Sequence, residues 1–188
     1  MFRHNDSFRL VVKEARQALI GCSVEAKMNL SASESYRPDF TLSEPIANLT
    51  TEPTAVDFTV TNPFASSMIK RCSKEALKAA LLGKKRKVKE NEKRMKSKGF
   101  AFIAMSFEAT GGCTEESERC IDYILSQKSH VLNVPYGVVA SDFWQSLSVC
   151  IQRANARSIR ERVTVPNALR LPVDTVECET DYDFEDID

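Results

Sequence analysis

Three acidic side chains stand in segments that read as β-strands, where acids are ordinarily scarce. Glu25 sits in the alternating run Val24-Glu25-Ala26-Lys27-Met28-Asn29-Leu30, Asp39 in Arg37-Pro38-Asp39-Phe40-Thr41-Leu42, and Asp57 inside Val56-Asp57-Phe58-Thr59-Val60-Thr61. Strand-borne carboxylates that converge at one edge of a sheet form an all-oxygen cradle suited to Mg²⁺ or Mn²⁺. Such a cation polarises a phosphodiester and lowers the pKa of a bound water. The plainer alternative makes Asp39 a turn residue after Pro38 and Asp57 a strand cap.

The elements that must position these acids follow from periodicity. Residues 7–20 carry Phe8, Val11, Val12, Ala15 and Leu19 at helical spacing, with Asp6 or Ser7 to begin the helix and Gly21 to end it. Residues 24–30, 37–42 and 56–61 follow as strands, separated by a turn at 31–35 and a loop at 43–54. A long helical stretch over 66–98 comes next, apolar on one side up to Gly83 and dominated by Lys and Arg beyond it. Residues 100–107, apolar throughout, read as a buried central strand, and 115–129 and 141–162 as helices. Phe143 and Trp144 share helical spacing with Leu147 and read as core. The order predicts an α/β fold, a mixed sheet flanked by helices, over residues 1–165. Residues 166–188 read as a disordered acidic tail.

The chain has 188 residues and no net charge, but its charges are segregated. Residues 69–98 hold 13 Lys or Arg against three Glu, whereas residues 174–188 hold eight acids and no base. Such a basic segment binds polyanions or forms a solvated helix face. Within it, Lys84-Lys85-Arg86-Lys87-Val88-Lys89 has the composition of a nuclear-import signal and equally that of a DNA-phosphate contact. No apolar stretch approaches the length of a membrane span, and the polar start Met1-Phe2-Arg3-His4-Asn5-Asp6 is unlike a secretion signal. The expected location is nuclear, otherwise cytoplasmic. The six cysteines contain no C-x2-C pair, and His4 and His130 lie far apart, which argues against a zinc site of common spacing.

The order Arg37-Pro38-Asp39, then Asp57-Phe58-Thr59-Val60, then Glu92-Lys93-Arg94-Met95-Lys96, then an apolar strand ending in Glu108, carries a family likeness. It resembles the restriction-like endonuclease domain that follows reverse transcriptase in some non-LTR retrotransposons, within the PD-(D/E)xK nuclease superfamily. Arg3-His4-Asn5 before a helix and Ser148 to Ala156 near the end add to the likeness, which spans about residues 3–157. The resemblance implies a restriction-endonuclease-like fold with additional C-terminal helices, and Mg²⁺- or Mn²⁺-dependent cleavage of double-stranded DNA. It implies Asp39 and Asp57 as metal-binding acids; Glu25 is a third candidate from its place in the first strand, not from the resemblance. Because Thr59 stands two residues after Asp57, where the superfamily places lysine, the catalytic lysine falls to the helix at Lys93 or Lys96, Lys93 being favoured. Lys84, Lys85, Arg86, Lys87 and Lys89 are then expected to hold DNA phosphates. The chain carries no polymerase motif, so on this reading it is a detached domain, an element remnant or a separately used gene, with a separately acting reverse transcriptase among its expected partners. Ser97 replaces the family's tyrosine, and Glu108-Ala109-Thr110-Gly111 departs from its E-T-x-G or E-S-x-G turn. Two alternatives stand beside this reading. One is a catalytically inactive DNA-binding remnant; the other is a nuclear interaction protein with a basic helix and an acidic tail.

Overall fold

The computed structural model describes residues 2–25, 28–29 and 35–162. Helix α1 (Phe2–Gln17) leads into strand β1 (Cys22–Val24). A small hairpin of β2 (Met28–Asn29) and β3 (Ser35–Tyr36) follows, then β4 (Phe40–Leu42) and β5 (Thr54–Thr61). A single helical turn, α2 (Ile69–Cys72), precedes the long α3 (Lys78–Lys96). Strand β6 (Ala101–Glu108) and the helices α4 (Glu115–Leu132) and α5 (Tyr136–Arg162) complete the order. The main sheet runs β1-β4-β5-β6, antiparallel except for the parallel pair β5 and β6, which the α2–α3 crossover connects. The protein is therefore α/β, with a four-stranded mixed sheet between helices.

The period-two alternation of β5 and β6 sorts their side chains onto two faces. Val56, Phe58, Ile103, Met105 and Phe107 join Phe8, Val11, Ile121, Ile124, Phe143 and Leu147 in the main core, beneath α1, α4 and α5. Phe58 and Phe107 stack there at 4.9 Å. Ala55, Phe102 and Ala104 face the other way and pack with Met95 of α3 in a smaller cluster that Tyr36 and Val88 border. Across the main core, Glu14 of α1 and Lys128 of α4 form a buried ion pair at 2.5 Å.

Several boundaries differ from the sequence reading for identifiable reasons. Helix α1 ends not at Gly21 but on Leu19, which takes a left-handed conformation (φ 56°). The Ile20 and Leu19 amides then donate to the Ala15 and Arg16 carbonyls, closing the helix end by hydrogen bonding. The strand expected over 24–30 stops at Val24, because Glu25 turns left-handed (φ 48°), and Met28–Asn29 belongs to the separate hairpin. Helix 66–98 is two helices, broken where Leu77 adopts φ 59°. Helices α4 and α5 extend beyond the expected 115–129 and 141–162, meeting at Asn133, another left-handed residue. The acidic tail and the end of the 1–165 domain lie outside the described residues. So do Arg3-His4-Asn5 as side chains. No described helix is long and apolar enough to cross a membrane.

Candidate active site

The β4–β5 ladder ends on the pair Phe40 and Val56; Asp39 stands just before β4 and Asp57 next along β5. Asp57 alternates with Ala55 and Thr59 on the face of the sheet that α3 covers. The two acids are also tied through backbone: the Phe58 amide, next after Asp57, donates to Asp39 Oδ2 at 2.6 Å. Asp57 is 2% exposed. A buried carboxylate needs donors, and α3 supplies them. Lys87 Nζ lies 3.2 Å and Asn91 Nδ2 2.8 Å from Asp57 Oδ2.

Gly83 explains how α3 comes this close. A Cβ on Gly83 would stand 2.7 Å from Thr61 Oγ1 and 2.9 Å from Ser106 Oγ, so only glycine lets the helix rest on β5 and β6 at this point. Ser106 Oγ donates to the Ala80 carbonyl at 2.7 Å, fixing the same turn. Thr59 lies under Gly83, which closes the strand position that could otherwise have carried a lysine. Lys87 and Asn91 follow Gly83 at four-residue steps, on the same side of the helix. At the start of α3, Glu108 Oε1 accepts from the Ala79 amide at 3.0 Å. Glu108 therefore anchors the helix that carries Lys87, rather than contributing to the acidic pair.

Tyr36 completes the group. Its hydroxyl is buried without a well-aligned hydrogen bond. Burial first, and then the Asp57 and Asp39 carboxylates, push its phenol far above the usual range, with Arg94 pulling the other way. Lys87, Asn91 and Arg94 thus mark one side of α3, facing Tyr36 and the two acids.

The remaining expected site residues divide plainly. The Glu25 amide donates to the Asp39 carbonyl at 2.9 Å, but Glu25 is exposed and past the end of β1. Lys93 is exposed and makes no ion pair among the described residues, and Lys96 pairs with Glu92 at 3.0 Å. The structure thus brings Lys87, rather than Lys93 or Lys96, to Asp57. The basic run is split by the helix: Lys84 pairs with Glu116 at 2.7 Å, Lys87 with Asp57, and Lys85, Arg86 and Lys89 face outward. Tyr36 and Asn91 were missed from sequence. Asn91, a poor helix former in mid-helix four residues from a lysine, carried a readable signal.

Mg²⁺ is commonly held through one or two carboxylates plus waters and phosphate oxygens, and Asp39 and Asp57 are the residues here that could contribute carboxylates. No group of three His, Cys, Asp or Glu side chains suited to a metal gathers among the described residues. No protein-family model matches this chain, and no curated protein matches it.

Proposed function

We propose that the protein is a metal-dependent DNA endonuclease of the PD-(D/E)xK kind, related to the restriction-like domain of non-LTR retrotransposons. The observation that carries this reading is the meeting of Asp57 with Lys87 and Asn91, near Asp39, whose Oδ2 accepts from the Phe58 amide. The helix-strand-strand-strand-helix-strand order of α1, β1, β4, β5, α3 and β6 supports it, being compatible with that fold. In this reading Asp39 and Asp57 would hold Mg²⁺ or Mn²⁺, which when bound supplies Lewis-acid polarisation of the phosphate and a more acidic water. Asn91 fixes the orientation of Asp57. Lys87 presents its ammonium where negative charge grows on the phosphate. The outward bases Lys85, Arg86 and Lys89 hold flanking phosphates of double-stranded DNA, and the same bases would serve nuclear import.

A second reading, DNA binding without cleavage, is favoured by the engagement of Asp57 Oδ2 with two donors, which leaves it balanced as it stands. Incubation with supercoiled plasmid and Mg²⁺ or Mn²⁺ separates the two. Nicked circles that EDTA suppresses support the nuclease. A mobility shift with no nicking supports the binding protein, and neither result leaves both readings without support.

A further inference from the structure

The side of α3 turned away from the sheet carries a stripe of bases. Lys85, Arg86, Lys89 and Lys93 are all exposed, and none forms an ion pair among the described residues. At about 100° per residue they share an arc of about 100° and a length of about 12 Å, on the far side of the helix from Gly83, Lys87 and Asn91. Glu90 is the exposed acid that borders the stripe, while Glu92 is held by Lys96. The whole chain nevertheless has no net charge, and residues 174–188 hold eight acids and no base. Complementary charge for the stripe is thus present in one block of the same chain.

That block can reach the stripe. Residues 163–188 follow α5 and lie outside the described residues, but the place from which they leave is fixed. Asn155 Nδ2 of α5 donates to the Ala109 carbonyl at 2.7 Å. Glu108, next to Ala109, accepts from the Ala79 amide in the first turn of α3 at 3.0 Å. These two bonds bring the last turns of α5 to the end of the molecule where α3 begins. From Arg162, two turns beyond Asn155, the route over those contacts to Lys85 is at most about 40 Å. Residues 163–173 alone span up to about 36–40 Å, so the acidic block starts where the stripe starts and has its own length to follow it.

We propose that residues 174–188 dock in cis on the Lys85, Arg86, Lys89 and Lys93 stripe of α3 and mask it. A single exposed ion pair contributes little, but a tethered block meets the stripe at an effective concentration on the order of millimolar, with several pairs forming together. The regulatory sense of this contact rests on the DNA reading above. The masked bases are those assigned to duplex phosphates, so DNA binds there only by displacing the block.

The test joins carboxylates to amines with a water-soluble carbodiimide in the full chain, without DNA, on an equal mixture of unlabelled and heavy-nitrogen-labelled protein. Peptide mass mapping should find amides from the 174–188 acids to Lys85, Lys89 or Lys93 at least about 5-fold more often than to Lys70, Lys74 and Lys98, which are likewise exposed. Each should lie within one label. The links should vanish near 1 M NaCl, where screening acts over about 3 Å, and on adding saturating paired duplex. Links spread evenly over the exposed lysines, links between the two labels, or links that persist in high salt overturn the docking. A duplex that binds while the links remain overturns the competition and the proposal with it, leaving the DNA reading standing. Links on the stripe in a protein that shifts no duplex uphold the docking and overturn the DNA reading instead.

Discussion

Lys87 and Asp57, thirty residues apart in the chain, meet at 3.2 Å across the interface between α3 and β5. Among the described residues, no other base of the 84–89 run pairs with a strand-borne acid. Lys87→Ala should therefore lower single-turnover nicking by about 100- to 1,000-fold, the loss typical of one preorganised donor to developing charge. Lys93→Ala and Lys96→Ala should act mainly on DNA affinity, with changes in rate below about tenfold. Rapid-quench assays at saturating enzyme separate these effects, and a larger rate loss in Lys93→Ala would return the catalytic role to that residue.

Asp39→Asn and Asp57→Asn should each remove nicking while preserving DNA binding, since each takes a charged oxygen from the cation. Their effects on folding should differ. The amide in Asp39→Asn retains an oxygen that can accept from the Phe58 amide. Asp57→Asn deprives the partly buried Lys87 of its counter-charge and should cost about 1–3 kcal/mol in urea unfolding.

Gly83→Ala would ordinarily stabilise a helix by about 1 kcal/mol. Here the added carbon meets Thr61 Oγ1 and Ser106 Oγ below 3.0 Å. The helix must lift, so a loss of about 1–3 kcal/mol in urea unfolding is expected, together with loss of nicking as Lys87 withdraws from Asp57. A stabilised and fully active variant would show that α3 need not lie this close.

Glu108→Ala removes the acceptor at the start of α3. The expected cost is about 1–2 kcal/mol, the range for a lost helix N-cap, read as a lowered urea midpoint. An unchanged midpoint would place the anchor of α3 elsewhere.

The cysteines give a prediction about pH. Burial, aided by the Glu116 charge, pushes the Cys120 thiol up to about 12. A raised thiol pKa keeps the group protonated and unreactive until the pH approaches that value. Iodoacetamide at pH 8 should leave Cys120 unmodified in the folded protein and modify it in urea, as peptide mass mapping would show.

Strand and helix types were largely legible in the sequence because their periodicity is strong. Asp57 within Val56 to Thr61 and the apolar run before Glu108 both occupy strands at the expected places. What failed was local backbone chirality: Leu19, Glu25 and Leu77 adopt left-handed conformations that non-glycine residues seldom take. Those three residues shifted one helix end, shortened one strand and split one helix. The lysine that reaches Asp57 is not one of the two favoured from sequence, for a related reason. Helix direction could be argued from the order of elements, but its axial position depends on the close approach at Gly83, a tertiary fact.

The contact between Asp39 Oδ2 and the Phe58 amide also limits how the chain can vary in length. Residues of the 43–53 connection can be gained or lost where Ile46 keeps its place in the core, because both strands then keep their pairing. One residue inserted between Asp39 and Phe40 would move the carboxylate off the Phe58 amide. One inserted between Gly83 and Lys87 would rotate the ammonium by about 100° around the helix, away from Asp57. Relatives that keep this site are thus expected to vary in length in the 43–53 connection while keeping an apolar residue at Ile46, and to hold a constant spacing from Gly83 to Asn91.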